Sequence, residues 1–374
     1  MPLLDTPDAL VVGAGLIGLS AALALARDGL RVTVLERDVA GRHASTLNAG
    51  GIRRVNRHPA ELPLAQAALA LWPGLSEALG ADVRFRASGH LLVAEDAAEL
   101  ERLTSRAALA NALGHAHERL VDAQEVRAIA PGIAAHIQGG LWGEADGHAD
   151  PRATLDAYRQ AAEAAGVTIL EGATLEELEP QAGGWLARTS VGAIATGLLL
   201  NCAGAWAGVV AGMAGDPLPV EPRAPMAMLV APRPYFLAPV IQTLTRRLTL
   251  KQRADGAVAV GGGHRARLTE AGPPALVPDE AEANLATAIS LFPEALAGAR
   301  PARVWAGMEG YAPDGVGILG ASARHRRLLH ACAFSGHGFA LAPAVGPVLA
   351  RLAQGQAPGV GLLGMEPGRW APPG

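Results

Sequence analysis

Three glycines near the start of the chain have the spacing of a phosphate-binding turn. Gly13, Gly15 and Gly18 follow a short apolar run and open a segment rich in alanine and leucine. Glycine is needed here because the backbone must turn tightly, approach a pyrophosphate and let a helix pack closely on a strand. The unpaired N–H groups and the positive end of the helix dipole then bind the phosphate. The spacing predicts a dinucleotide site, and Leu16 and Ile17 belong to the same turn.

An acidic residue follows this turn at the distance in sequence that is typical of a ribose-binding carboxylate. Glu36 ends the β-branched run after the first helical segment, and Arg37 comes next. A carboxylate at this point accepts hydrogen bonds from ribose hydroxyls and repels a 2′-phosphate, so it argues against NADP. The motif indicates an adenine dinucleotide and leaves FAD and NAD as alternatives.

The elements that must position these residues alternate between strand and helix. The first unit is strand, glycine turn, helix and strand, which is a βαβ unit. A further helix is predicted from Asp150-Pro151, in the manner of an N-cap and first helical residue, and a last strand–glycine–helix unit spans 328–352. The proline-rich stretch 216–239 suits a crossing into a second domain with strands near 248–250 and 257–260.

Composition excludes several classes of protein. The 374 residues suffice for about two domains, and the net charge of −4 is spread along the chain, so no nucleic-acid-binding surface is expected. Cys202 and Cys332 lie in apolar runs without metal-ligand spacing, so no metal site is expected. The chain has no apolar run of about 18 residues to span a membrane. Without a signal-peptide pattern at the N-terminus, a cytoplasmic location is expected.

Five blocks along the chain resemble the D-amino-acid-oxidase-like family of flavoproteins, which includes glycine and sarcosine oxidases. They are the glycine turn with Glu36 and the segments 44–51, 201–206, 305–315 and 334–343. The resemblance runs from Leu10 to Leu352. Residues 48–61 are most similar to the branch with the flavin subunits of opine oxidases, hydroxyproline dehydrogenases and hydrogen cyanide synthase.

The resemblance implies an α/β fold with two domains. The Rossmann-like FAD-binding domain would comprise residues 1–82, 146–214 and 310–374. An α+β substrate domain with a mixed or antiparallel sheet would comprise residues 83–145 and 215–309. Backbone donors of the loop that enters a helix near residue 336 would stabilise the reduced flavin. Beyond the glycine turn and Glu36, the expected FAD contacts are Arg37, Ser45, Thr46, Asn48, Ala49, Gly50, Gly51, Leu175, Ala203, Gly204, Trp206, Gly307, Gly336, His337, Gly338, Phe339 and Ala340.

The implied activity is FAD-dependent oxidation of a C–N bond in an amino acid or secondary amine. Hydride transfer to flavin N5 would give an imine that hydrolyses, and the substrate would resemble glycine, a D-amino acid, an opine or a hydroxyproline. The alternative is a flavin-bearing relay or scaffold subunit of a hetero-oligomer with electron-transfer subunits.

Two departures from the family pattern bear on the substrate and on the flavin. Many relatives hold the substrate carboxylate with an arginine, but Glu309 stands at the matching position. Candidate replacement cations are Arg53, Arg54, Lys251, His264 and Arg265, and we expect Glu309, His264 and Arg53 in the catalytic site. No cysteine lies near Gly307, where sarcosine oxidases attach FAD, so the FAD is expected to be non-covalent.

Overall fold

The structure, a computed structural model, describes residues 6–270 and 272–370. Residues 1–5, on which the expectation of no signal peptide partly depends, lie outside these ranges. Among the described residues, no helix is both long and apolar enough to cross a bilayer.

Helices and strands alternate along much of the described chain. The helices are α1 (Leu16–Arg27), α2 (Ala44–Leu47), α3 (Leu62–Leu71), α4 (Leu75–Leu79), α5 (Ala97–Ala112), α6 (Ala123–Ile129), α7 (Pro151–Ala164), α8 (Ala207–Met213), α9 (Pro278–Leu291) and α10 (Gly338–Ala353). The strands are β1 (Ala9–Val12), β2 (Val32–Leu35), β3 (Gly51–Ile52), β4 (His90–Ala94), β5 (Arg119–Asp122), β6 (Gly139–Gly143), β7 (Gly147–His148), β8 (Thr168–Leu170), β9 (Leu175–Gln181), β10 (Gly184–Thr189), β11 (Gly192–Thr196), β12 (Leu198–Asn201), β13 (Glu221–Arg223), β14 (Met226–Val230), β15 (Val240–Thr243), β16 (Thr249–Gln252), β17 (Val258–Gly261), β18 (Pro301–Ala306), β19 (Glu309–Tyr311), β20 (Ile318–Ala321) and β21 (Leu328–Cys332). Short 3₁₀ turns cover Pro59–Glu61, Trp72–Gly74, Gly204–Trp206 and Pro367–Trp370.

The first sheet carries the glycine turn. In the described part of the chain it has six strands in the order β20-β21-β12-β1-β2-β8, all parallel except β20. Val11, at its centre, pairs with Val34 on one side and Leu200 on the other. These apolar residues are fully buried because both faces of the sheet are covered.

Helices cover one face of this sheet, and α1 and α10 approach each other most closely. A Cβ added to Gly346 of α10 would lie 2.4 Å from the Ser20 carbonyl oxygen of α1. The Ser20 hydroxyl donates to the Ala342 carbonyl oxygen at 2.7 Å, and Trp72 Nε1 donates to that of Ala340 at 2.9 Å. These contacts fix the end of α10 that begins beside the glycine turn.

A three-stranded antiparallel sheet, β11-β10-β9, covers the other face. Leu178, Trp185 and Ile194 pack with Leu10 and Leu35 of the main sheet. These strands were not predicted from the sequence, and the charged residues of the sheet lie mainly on β9.

The second large sheet forms a separate core. Over the described residues its order is β18-β14-β17-β16-β15-β4-β6-β5, antiparallel except for the β15–β4 pair. Phe292, Leu291 and Leu250 are buried in this core. All eight strands fall within 83–145 and 215–309, the ranges assigned from sequence to a substrate domain. The expected α/β class with one largely parallel and one mixed sheet is confirmed.

Candidate functional site

A cleft of about 590 Å³ is lined by residues of both sheets. It runs from the carboxyl ends of the parallel strands, where open α/β sheets bind ligands, to the inner face of the second sheet. The sequence-predicted residues that line it are Gly13, Gly15, Leu16, Ile17, Glu36, Arg37, Ser45, Asn48, Ala49, Gly50, Gly51, Arg53, Leu175, Ala203, Gly204, Trp206, Gly307, Glu309, Gly336, His337, Gly338 and Phe339. Four sequence-predicted residues do not line it: Gly18, Thr46, Ala340 and His264.

The glycine turn is tight for steric reasons. Gly13 has φ +107°, and a Cβ there would lie 2.5 Å from the Cys202 carbonyl oxygen. A Cβ at Gly18 would lie 1.9 Å from the Gly13 carbonyl oxygen, so this glycine lets the helix approach the turn. Helix α1 starts after Gly15 without a side-chain cap, although Leu16 N–H donates to Ser45 Oγ at 2.8 Å. The first turn of α1 therefore presents backbone donors to the cleft.

Glu36 is held by the backbone on both sides. Its carboxylate accepts the N–H groups of Ala14 at 2.9 Å and of Asp38 at 2.8 Å. Beside it, the Arg37 guanidinium lies over the Trp206 ring, 4.3 Å from the ring centroid. The Trp206 ring forms a flat wall at this end of the cleft. A fixed carboxylate beside a stacked aromatic wall suits a nucleoside.

The loop between α2 and β3 is held by hydrogen bonds among neighbouring residues. Asn48 accepts from Gly50 N–H at 2.6 Å and donates to the carbonyl oxygens of Ala44 and Ser45. Thr46 Oγ1 donates to the Gly41 carbonyl oxygen at 2.6 Å, and this side chain lines a separate cavity of about 670 Å³. The loop thus faces the cleft mainly with its backbone.

A second uncapped helix begins at the same cleft. Ser335 and Gly336 have positive φ, 52° and 90°, in the turn before α10. His337 precedes α10 without a side-chain cap. The interior residue Ala340 does not line the cleft, because it lies within the body of the helix. Two uncapped helix N-termini, those of α1 and α10, therefore open into one cleft, which fits an elongated, negatively charged dinucleotide such as FAD.

At the other end of the cleft, buried charges form a chain of contacts. Arg53 Nη2 lies 3.4 Å from His337 Nε2, and His337 Nδ1 lies 2.8 Å from Glu61 Oε2. Arg57 Nη1 lies 3.6 Å from the same carboxylate, too far for a hydrogen bond. Although burial alone would raise it, His337 and Arg57 lower the pKa of Glu61 to about 2. The acid therefore stays ionised and orients His337 so that its Nε2 accepts from Arg53.

Arg53 retains its charge in this setting. Burial, with the nearby Arg57, lowers the pKa of Arg53 to about 9, which is still above neutrality. Arg53 forms no salt bridge with any carboxylate among the described residues; its other contact is a hydrogen bond to the Val55 carbonyl oxygen. A guanidinium that lines the cleft thus lacks a carboxylate of its own.

His90 lies near these two arginines at the start of β4. It is 1 % exposed and lines the cleft together with Arg57 and Gln242. Its Nε2 lies 3.1 Å from Gln242 Oε1, which can only accept, so Nε2 carries the hydrogen. Burial and the Arg53 charge lower the pKa of His90 to about 3, so the ring is neutral.

Glu309 is largely desolvated where it faces the cleft. Tyr311 donates to its carboxylate at 3.1 Å, and burial raises the pKa of Glu309 to about 7 despite this bond and one from the Gly336 N–H. Arg303 of the nearby strand β18 lies over the Trp305 ring, with its guanidinium carbon 5.5 Å from the ring centroid.

The five candidate cations are placed very differently. Among them only Arg53 lines the cleft. Arg54 Nε lies 3.3 Å from Asp146 Oδ1, and the buried Lys251 donates to the Ala149 carbonyl oxygen at 3.3 Å in the separate cavity. His264 Nδ1 lies 2.5 Å from Glu280 Oε2, and Arg265 lies 5.9 Å from the Tyr311 ring centroid.

Sequence analysis missed four residues at this end of the cleft. His90, Arg57 and Glu61 are buried, and Gln242 is half-buried. Segment 57–61 belongs to the branch resemblance, and an arginine and a glutamate four residues apart, directly before the apolar run 62–71, are a usable signal. His90 and Gln242 come together only through the β4–β15 pairing, which no local pattern predicts.

Comparisons with known proteins agree with this architecture. The family model described as FAD dependent oxidoreductase matches residues 8–352. A glycine oxidase of Pseudomonas aeruginosa is 31% identical, covering 97% of this chain and 98% of the relative. A hydrogen cyanide synthase subunit of the same organism is 26% identical over 93% of this chain and 92% of its own length.

A solved structure shows the same fold throughout. The crystal structure of L-proline dehydrogenase from P. horikoshii matches with a TM-score of 0.89 and 26% identity, covering 98% of each chain. The family match over residues 8–352 includes both uncapped helix N-termini and the segments that line the cleft. The chain belongs to the FAD dependent oxidoreductase family.

Proposed function

We propose that the protein oxidises the carbon–nitrogen bond of an amino acid or secondary amine that carries a carboxylate. The observation that carries this proposal is Arg53, a half-buried residue that lines the cleft without a carboxylate partner among the described residues. A bound substrate would exclude water from this charge, so a substrate carboxylate would complete the site. Similarity to a glycine oxidase and to an L-proline dehydrogenase supports this substrate class.

The chain's own residues would bind and orient the substrate. Glu61 and His337 hold the Arg53 guanidinium in place, so it can bind a carboxylate without losing further freedom. Bound FAD supplies the oxidising chemistry, accepting a hydride from the carbon next to nitrogen and leaving an imine that water hydrolyses. Glu309 would face the same space, so a substrate carboxylate would turn away from it and toward Arg53.

The test is anaerobic bleaching of the bound flavin by a panel of glycine, sarcosine, D-amino acids, hydroxyprolines and opines. At least one of these compounds should bleach it. Arg53→Met should raise the substrate dissociation constant by about tenfold or more, because a charge-assisted contact is lost. Arg54→Met is the matched control, since Arg54 pairs with Asp146 outside the cleft, and it should change the constant by less than about threefold. Equal effects of the two variants would contradict the role of Arg53.

A second candidate is a flavin-bearing relay subunit in a hetero-oligomer. The observation that favours it is the similarity to one subunit of a hydrogen cyanide synthase and to one subunit of an opine oxidase. This candidate predicts that no amine bleaches the isolated chain. Turnover with oxygen by the purified chain alone, at about 1 per second or more, would make a partner unnecessary.

A further inference from the structure

Among the residues that the structure describes, two buried side chains at the Arg53 end of the cleft have atoms without hydrogen-bond partners. They are His90, through Nδ1, and Arg57, through Nε and Nη1. Both residues line the cleft and are 1 % exposed. A buried polar atom that lacks a partner costs free energy, so such atoms point to a missing ligand.

The unpartnered atoms of the two residues have opposite hydrogen-bonding roles. Arg57 offers only donors. His90 Nδ1 offers only a lone pair, because Gln242 Oε1 holds the hydrogen on Nε2. Asp146 links the two regions: its carboxylate accepts from Val55 N–H at 3.0 Å, and its carbonyl oxygen accepts from the N–H of Gly89, the residue before His90, at 2.7 Å. The cleft therefore offers both an acceptor and donors for a carboxylate.

A carboxylate with an N–H group next to it matches this arrangement. We propose that His90 is a substrate-binding residue whose Nδ1 accepts a hydrogen bond from the α-nitrogen of the substrate while Arg53 and Arg57 hold the carboxylate. This inference rests on the proposed function and names the group that distinguishes an amine substrate from other carboxylic acids.

A neutral acceptor also suits the reaction better than an acid would. The amine must be neutral before hydride can leave the adjacent carbon. A carboxylate at the position of His90 would stabilise the ammonium form, whereas an imidazole beside two guanidinium groups stays neutral and does not. His90 therefore orients the nitrogen without favouring its protonation.

The test uses two planar acids of nearly the same shape. Pyrrole-2-carboxylate has a ring N–H beside the carboxylate, and furan-2-carboxylate has a ring oxygen there. Their dissociation constants are measured on the FAD-loaded protein by flavin difference spectra and by calorimetry. Wild type should bind the pyrrole acid about three- to tenfold more tightly, because one neutral hydrogen bond is gained.

Substitutions then locate the source of that preference. His90→Leu and His90→Gln should abolish it and leave binding of the furan acid within about twofold of wild type. His90→Gln keeps a polar group near Gln242 and serves if His90→Leu loses FAD. Arg57→Met should weaken both acids alike. His148→Asn, at a buried histidine that does not line the cleft, should keep the wild-type preference.

The outcomes separate the two proposals. A preference that survives in both His90 variants, or that wild type lacks, overturns the role of His90. If neither acid binds, the carboxylate site at Arg53 and Arg57 is wrong, and the inference is wrong with it. If the preference follows His90 but no amine bleaches the flavin, the inference stands and the proposed oxidation is what fails.

Discussion

At the residue scale, Glu309 has two properties from which an effect on the proposed reaction can be predicted. It faces the cleft, and burial raises its pKa to about 7. Its folded-state pKa lies above the ordinary value, so the carboxyl is neutral below about pH 7 and ionised above it. An ionised carboxylate stabilises positive charge that develops on the substrate nitrogen as hydride leaves.

Glu309→Gln keeps the size of the side chain and removes this charge. We expect kcat/KM for the best amine to fall by about tenfold above pH 8, which corresponds to about 1.4 kcal/mol. In wild type kcat/KM should rise with pH through about 7, and the variant should lack this rise. An unchanged efficiency with FAD still bound would show that Glu309 is structural.

The two cysteines lead to a prediction about the flavin. Cys202 and Cys332 line the cleft, and burial raises the pKa of both thiols, that of Cys332 to about 12. Thiols rather than thiolates are present at neutral pH, so neither is a nucleophile. Acid precipitation should therefore leave the flavin in the supernatant, measured by its absorbance. A yellow pellet after washing would contradict a non-covalent link.

The sequence alone predicted some of the residues that line the cleft and missed others. The residues of the glycine turn and Glu36 were found because their chemistry is encoded by spacing within one βαβ unit. His264 was expected in the site, but the structure pairs it with Glu280, and it does not line the cleft. His90 carried no local signal, because Gln242 reaches it only through the pairing of β4 with β15.

At the scale of elements, the α1–α10 contact depends on a missing side chain. A Cβ on Gly346 would lie 2.4 Å from the Ser20 carbonyl oxygen and 2.5 Å from its hydroxyl. The neighbouring atom is backbone of another helix, so it cannot yield without moving α1. Because both helices begin at the cleft, this close packing also fixes the distance between their N-termini.

Gly346→Ala should lower the free energy of unfolding by about 1–3 kcal/mol through overpacking. Gly212→Ala in α8 is the matched control, because a Cβ there meets nothing within 4 Å. The control should keep or slightly raise the stability, since alanine favours a helix over glycine by about 0.5–1 kcal/mol. The thermal unfolding midpoints of both variants are measured. Equal midpoints would mean that α1 and α10 can move apart to accept the extra methyl group without loss of stability.

Local patterns predicted some elements well and others not at all. Helix α7 begins where Asp150-Pro151 indicated it, and Asp150 accepts from Arg152 N–H at 3.0 Å. The strand–glycine–helix unit predicted over 328–352 is β21 followed by α10. Strand β9 was missed because charged residues interrupt its few apolar ones, and its burial comes from the sheet that it covers.

At the scale of the whole molecule, several histidines are buried in the neutral form. Burial lowers the pKa of His90 and His148 to about 3 and that of His337 to about 4. In the unfolded chain these rings take up protons below about pH 6.5. The unfolded state therefore binds more protons in this range, so stability is full above pH 6.5 and is lost as pH falls toward 4.

Each such ring should reduce the free energy of unfolding by about 1.4 kcal/mol per pH unit well below pH 6.5. Calorimetry in buffers of different ionisation enthalpy should show a net uptake of about two protons on unfolding near pH 5, because these rings take up about three and Glu309, protonated in the folded protein at this pH, releases most of one. His148→Gln should lower that uptake by about one. A stability that is flat between pH 6.5 and 4.5 would contradict the neutral burial of these rings.

The placement of α10 also affects how the protein is made on the ribosome. The cleft needs the glycine turn and also residues 331–339, which are synthesised much later. Strand β21 must also pair between β12 and β20 before α10 can pack on α1. During translation the early βαβ unit must therefore wait for β21 and α10, because a domain folds as a unit. A message truncated before β21 should yield a colourless product, and cofactor uptake should follow the synthesis of α10.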